Sequence, residues 1–67
     1  MKVFSERLKD LRQEKELSIR QLAKVTGISD VAIGKWENQK REPSASMVII
    51  LAKFFGVTTD YLLGLED

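Results

Sequence analysis

The segment at residues 18–38 constrains the fold of this chain more than any other part of the sequence. Ser18 is a favourable helix N-cap, and Gln21 three residues later completes a capping-box pattern. Gly27 can adopt the left-handed backbone conformation that ends a helix, and Ser29 then offers a second N-cap. These signals predict two short helices joined by a tight glycine turn.

The spacing of apolar residues predicts three further helices, and no alternating run is long enough for a strand. The first helix spans about residues 4–16. The fourth spans about residues 44–55 and is capped by Ser44, and a short fifth helix begins after Thr58 or Thr59. We therefore expect one all-α domain over residues 1–67, a compact five-helix unit with the capped pair at its centre. The side chains expected to point inward are Phe4, Leu8, Leu11, Leu22, Ala23, Val25, Ile28, Ile33, Trp36, Ala45, Val48, Leu51, Ala52 and Phe55.

Composition excludes several classes of function. The chain has no cysteine and no histidine, so it cannot form disulfides, thiolate zinc sites or histidine-based catalytic arrangements. We expect no metal, no cofactor and no enzymatic activity, since carboxylates such as Glu14 and Glu16 lie on a solvated helix without a pocket. The longest apolar run, residues 47–52, is far shorter than the roughly 20 residues that cross a bilayer. We therefore expect no membrane contact and a cytoplasmic location.

Charge is distributed unevenly along the chain. The net charge is only +1, but residues 1–41 carry +4 and residues 42–67 carry −3. A basic region of this kind is what binding to a polyanion requires. The distribution favours a nucleic-acid partner without establishing one.

A capped helix, a glycine turn and a second capped helix form the pattern of a helix-turn-helix motif. Further motifs extend along nearly the whole chain: Arg7-x4-Arg12, Leu17-x4-Leu22-Ala23-x3-Gly27-Ile28-Ser29, Ile33-x2-Trp36-Glu37-Asn38, Arg41-Glu42-Pro43-Ser44 and Gly56-Val57-x2-Asp60-Tyr61-Leu62-Leu63. On these residues the chain resembles the Cro/phage-repressor helix-turn-helix family, the Xre-type regulators. The resemblance implies a lambda-repressor-like domain that binds double-stranded DNA as a homodimer on a two-fold operator. It also implies a sequence-specific transcriptional regulator that acts as a repressor.

The resemblance implies one structural ion pair, and the chain departs from the family pattern at two positions. Arg12 and Glu37 match family positions that typically pair, tying the first helix to the end of the third. Ile19 stands where many members carry a glutamine that contacts phosphate, so that contact is absent here. Gln39 replaces the common glycine after the third helix, and we expect Asn38 to take the left-handed conformation instead.

The third helix is expected to enter the major groove. Lys35 can donate to guanine, or else contact a phosphate. Val31 or Ala32 can pack on a thymine methyl group, unless Val31 is buried against the second helix. Asp30 can accept from cytosine N4, and a role in helix capping is the alternative. Gly34 weakens the helix by up to about 1 kcal/mol, a cost that is accounted for if either DNA backbone or a neighbouring side chain comes close there.

Phosphate contacts are expected from the segments that flank the third helix. The start of the second helix offers free backbone amides, which bind anions. The expected phosphate-contacting residues are Ser18, Arg20, Lys24, Asn38, Lys40 and Arg41.

The fourth helix carries a second apolar face. Met47, Ile50 and Phe54 lie on one side of it, apart from the predicted core stripe. We expect these residues to form the interface of a homodimer, whose two-fold symmetry would place two recognition helices about 34 Å apart. The same face supports an alternative function, a protein-interaction adaptor or antitoxin-like module in which DNA binding is secondary.

Overall fold

Five α-helices and no strand make up the computed structural model, which describes all of residues 1–67. The helices are α1 (Lys2–Glu14), α2 (Ile19–Thr26), α3 (Asp30–Glu37), α4 (Ala45–Phe55) and α5 (Thr59–Leu63). The prediction of an all-α, five-helix architecture is therefore confirmed. None of the helices combines the length and the apolar character that crossing a membrane requires.

The core draws one fully buried aliphatic side chain from every helix. These residues are Leu8, Leu22, Ile33, Leu51 and Leu62, and none of them exposes measurable surface. Helix α3 packs against α1 and α2, whereas α5 packs against α1 and α4. Because each helix is too short to be stable alone, this shared core is what keeps all five of them folded.

Side-chain caps begin four of the helices. The hydroxyl groups of Ser18, Ser29, Ser44 and Thr58 each accept a hydrogen bond from a backbone N–H in the first turn of α2, α3, α4 and α5. These caps satisfy amide groups that have no partner within the helix. The predicted starts of these four helices are therefore confirmed, and Thr58 rather than Thr59 caps α5.

Helix α1 begins and ends two residues earlier than expected. Its last turn closes where Glu16 adopts a positive φ of 56°. The amide of Glu16 donates to the carbonyl of Gln13 at 2.9 Å, and that of Leu17 donates to Arg12 at 3.1 Å. This pair of bonds is the Schellman arrangement, which glycine usually makes and which here falls on a glutamate.

The end of α3 corrects the expectation for Asn38. Asn38 keeps a negative φ of −93°, and Gln39 takes the left-handed conformation with φ 60°. The amides of Gln39 and Lys40 close the turn by donating to the carbonyls of Trp36 and Lys35. In this arrangement the left-handed residue is the one after the C-cap, so the prediction was one residue too early.

Two residues predicted to face the core lie on the surface. Val25 is 55% exposed because the inward side of α2 is formed by Ile19, Leu22 and Ala23. Ala45 is also exposed, at the first position of α4. The other predicted inward residues are buried or half-buried.

The C-terminal segment is attached to α1 through Arg7. The Arg7 guanidinium lies 4.2 Å from the centre of the Tyr61 ring and donates to the backbone carbonyls of Tyr61 and Glu66. The hydroxyl of Thr58 also bonds to the Glu66 carboxylate. Residues 64–66 are thereby held against the helical body.

Candidate nucleic-acid interface

The turn between α2 and α3 is fixed by local hydrogen bonds. Ser18 and Gln21 form both bonds of the capping box, with the Ser18 amide donating to Gln21 Oε1 at 2.8 Å and the Gln21 amide donating to Ser18 Oγ at 3.0 Å. Gly27 ends α2 with φ 75°, a conformation that costs glycine little. Thr26, which the sequence analysis missed, donates to the Leu22 carbonyl at 2.7 Å and accepts from the Ile28 amide at 3.3 Å. The turn therefore sets the direction of α3 with little freedom.

Two apolar anchors hold α3 against the body of the protein. Ile33 is fully buried and Trp36 nearly so. The Trp36 ring packs edge-on against Phe4 with ring centres 6.2 Å apart, and the Ser5 hydroxyl donates to the Trp36 carbonyl. The inward side of α3 is thus packed against the core, as the sequence predicted, although the buried Trp36 Nε1 has no hydrogen-bond partner.

The opposite side of α3 is open. Asp30 and Lys35 are exposed, and Val31 leaves 61% of its surface accessible, which excludes burial against α2. Gly34 is half-buried, but a Cβ atom added there would meet no atom within 4 Å. No neighbouring side chain therefore requires glycine at this position.

Ala32 differs from the other three predicted base-contacting residues. It is half-buried and packs against the core. It also lines a groove between α3 and α4 together with Trp36 and Met47. The open side of α3 therefore presents Val31, rather than Ala32, as its apolar group.

The predicted phosphate-contacting residues are all exposed. None of the four cations in this set takes part in an ion pair within the protein, because the only pairs present involve Met1, Arg7 and Arg12. Arg41 lines the same groove as Gly27 and Ser29, so it lies beside the α2–α3 turn. The exposed set is Ser18, Arg20, Lys24, Asn38, Lys40 and Arg41.

Arg12 and Glu37 form a largely buried, bidentate ion pair, as predicted. Arg12 Nε donates to Glu37 Oε2 at 2.7 Å, and Nη2 donates to Oε1 at 2.9 Å. The remaining Arg12 Nη1 donates to the carbonyl of Leu17 at 2.7 Å. Hydrogen bonding to Glu37 raises the pKa of Arg12 above its ordinary value, although burial acts in the opposite direction. This pair joins α1 to the last residue of α3 and leaves neither group available for DNA.

The apolar surface of α4 is arranged differently from the predicted stripe. Met47 and Phe54 are half-buried and pack against the core, so Ile50 is the exposed member of the predicted set. Ile49, which sequence reasoning missed, is 45% exposed, compared with 37% for Ile50. Ile49 also lines an apolar groove with Met1, Pro43, Ala45, Val48, Thr59 and Leu63. No signal in the sequence indicated this exposure, because Ile49 lies four residues after Ala45 and so shares a face with a residue that was predicted to point inward.

Comparison with known proteins identifies relatives that are all regulators by name. The chain is 35% identical over 65 residues to YobD of Bacillus subtilis, an uncharacterized HTH-type transcriptional regulator. It is 42% identical over 64 residues to the transcriptional activator BcrR of Enterococcus faecalis, and 40% identical over 63 residues to repressor protein C2 of Salmonella phage P22. These alignments cover 97%, 96% and 91% of this chain. They span only 58%, 31% and 28% of the respective relatives.

A solved structure of similar size shares the fold. The restriction-modification controller protein C.AhdI from Aeromonas hydrophila superposes with a TM-score of 0.81 at 30% sequence identity. The match covers 91% of this chain and 92% of that one. Residues 8–62 match the family model described as helix-turn-helix. The chain belongs to the helix-turn-helix family of the Cro and phage-repressor type.

Proposed function

We propose that this protein is a sequence-specific, double-stranded DNA-binding transcriptional regulator that represses transcription and reads the major groove with α3. The observation that carries the proposal is that one side of α3 is packed against the core while the opposite side is exposed. Its inward side is anchored by Ile33 and Trp36, whereas Asp30, Val31 and Lys35 stand free on the outward side. A rigid helix with an unoccupied polar and apolar face is what base readout requires. Such a regulator works in the cytoplasm, needs no cofactor and catalyses no reaction.

Two exposed side chains of α3 contact different bases. Lys35 donates to the O6 and N7 acceptors of guanine, and Val31 packs against a thymine methyl group. These two residues lie one helical turn apart, so they read neighbouring bases. Ala32 adds at most a peripheral apolar contact because it is half-buried.

The flanking residues position the domain on the DNA backbone. Six exposed side chains at the start of α2, along α2 and after α3 supply hydrogen-bond donors and four positive charges. Such contacts give affinity and register but carry no sequence information. The phosphate-contacting set of the proposal is Ser18, Arg20, Lys24, Asn38, Lys40 and Arg41.

We further propose that the protein binds its operator as a homodimer through α4. The predicted interface of Met47, Ile50 and Phe54 is supported by the exposure of Ile50, and the adjacent Ile49 extends it toward the groove near Met1. A two-fold dimer would read two half-sites about one DNA turn apart. Exposed isoleucines on one helix would then be buried between subunits rather than left in water.

The same isoleucines favour a second candidate function. In that case α4 binds a different protein, as in an adaptor or antitoxin-like module, and DNA binding is secondary. Lys35→Ala and Lys40→Ala separate the two functions, because neither lysine lies on α4. The adaptor function is supported if a partner protein binds both variants as it binds the original protein.

The deciding experiment is selection of bound sequences from a random DNA pool, followed by affinity measurements over a range of salt concentrations. We expect a palindromic consensus and a steep fall of affinity with salt. Lys40→Ala removes one phosphate contact from each subunit of the dimer, so it should reduce the slope of log K against log salt by about 1.8. Lys35→Ala should relax the preference at one base position, whereas Lys9→Ala, an exposed lysine on α1, serves as the control. A pool without enrichment would refute the proposed function.

A further inference from the structure

Asp30 carries a carboxylate that pairs with no other side chain of the protein. Ser29 caps α3, since its hydroxyl accepts from the Ala32 amide at 3.3 Å, so the capping role is already filled. Asp30 is the first residue of α3, is exposed, and takes part in no ion pair or side-chain hydrogen bond. It therefore lies on the open side of α3 as a negative charge whose only compensation within the protein is the N-terminal dipole of its own helix.

No side chain on α3 can neutralise the charge of Asp30 from the positions three or four residues later, where side chains of a helix come into contact. The residue three positions later is Ile33, which is buried, and the residue four positions later is Gly34, which has no side chain. Beyond the adjoining residues and the backbone of α3 itself, no protein atom lies within 4 Å of a Cβ added at Gly34. A ligand group is thus free to approach the carboxylate from this side.

The chemistry of the base edges selects the group that can approach. A carboxylate only accepts hydrogen bonds, and it is repelled by neighbouring phosphates. In the major groove, guanine presents two acceptors, thymine presents an acceptor and a methyl group, and adenine places an acceptor beside its amino group. Cytosine alone offers an amino donor without an acceptor. Cytosine is therefore the one base that satisfies Asp30 without adding repulsion.

We infer that Asp30 is a specificity-determining residue that requires a cytosine in each operator half-site and weakens binding to DNA that lacks one. This inference rests on the proposed DNA-binding function. It assigns two opposite effects on DNA affinity to one side chain. Asp30 raises the affinity for a site that has cytosine at the contacted position, and it lowers the affinity for all other DNA. The effects can be separated because removing the charge changes both in predictable directions.

The test compares Asp30→Asn with Asp60→Asn. Both substitutions remove one negative charge from the first turn of a helix and keep the size of the side chain, but Asp60 lies on α5. Each variant is used for selection from a random DNA pool, and its affinity for the original operator and for unrelated duplex DNA is measured at fixed salt. Thermal melting establishes that the variants are folded.

For Asp30→Asn we expect binding to unrelated DNA to tighten by several-fold to about tenfold. The preference at one position should move from cytosine toward adenine, which asparagine recognises through two hydrogen bonds. Asp60→Asn should leave the consensus unchanged and alter affinity by less than about twofold. Two results would overturn the inference: an unchanged consensus for Asp30→Asn, or an original consensus without a cytosine that responds to the substitution.

Failure of this inference is distinguishable from failure of the proposed function. If the original protein enriches a palindrome and Asp30→Asn enriches the same one, the regulator function stands and the role of Asp30 is wrong. If the original protein enriches nothing, both are wrong.

Discussion

Removing the carboxylate of Glu37 should destabilise this domain severely. The side chains of Arg12 and Glu37 are 11% and 5% exposed, and their two hydrogen bonds measure 2.7 and 2.9 Å. Glu37→Ala leaves the guanidinium buried without its counter-charge, which typically costs about 3–5 kcal/mol. A domain of 67 residues has a free energy of unfolding of roughly 3–10 kcal/mol. The substitution should therefore remove a large part of the total stability.

The assay is urea denaturation followed by the fluorescence of Trp36, the only tryptophan in the chain. Glu14→Ala is the matched control, because Glu14 is exposed on α1 and makes no ion pair, and its effect should stay within about 0.5 kcal/mol. Combining Arg12→Met with Glu37→Leu should restore much of the lost stability, since neither charge then remains buried. A loss below about 1 kcal/mol for Glu37→Ala would refute the reasoning. The reasoning would also be refuted if the double variant lost as much free energy of unfolding as Arg12→Met and Glu37→Leu lose together when each is made alone.

Three further substitutions test the backbone features, each by its change in the free energy of unfolding. Gln39→Gly should stabilise the fold by about 0.5–1 kcal/mol, because glycine adopts the positive φ of 60° at this position without steric strain. An unchanged midpoint of urea denaturation would contradict this. Gly34→Ala should stabilise it by up to about 1 kcal/mol, since the added methyl group enters open space in a helix; destabilisation would reveal a contact that the structure lacks. Ser18→Ala should destabilise it by about 1 kcal/mol through loss of the capping box, and Ser46→Ala, exposed within α4, is the control.

The starts of α2, α3, α4 and α5 were predictable because a capping side chain acts within its own turn, whereas α1 has no side-chain cap and its start was not. Ser18, Ser29 and Ser44 each stand next to the amides that they satisfy, so the signal is contained in a few residues. The ends were predictable only where glycine marks them. At Glu16 and Gln39 the left-handed conformation falls on a residue that disfavours it, and the local sequence does not indicate a helix end at either position.

The two proposed interfaces differed in how far the sequence could define them. The open side of α3 follows from the positions of Ile33 and Trp36, because two fixed anchors determine the orientation of a short helix. The outer side of α4 depends on how far α4 is rotated against its neighbours. Met47 and Phe54 therefore pack inward although their spacing also suited a surface stripe, and Ile49 became exposed instead.

The attachment of α3 at both ends has a consequence for DNA affinity. A helix of eight residues is not stable alone, so its order depends on the buried Ile33 and Trp36, supported by the Ser29 cap at its start and the Glu37 ion pair at its end. If α3 is already rigid in the free protein, binding DNA requires little further ordering. Substitutions at the ion pair should then weaken DNA binding only by lowering the folded fraction. Glu37→Gln, which keeps one hydrogen-bond acceptor, should bind operator with unchanged affinity once its folded fraction is taken into account. A weaker intrinsic affinity would instead mean that α3 becomes ordered on the DNA and that the ion pair contributes directly to recognition.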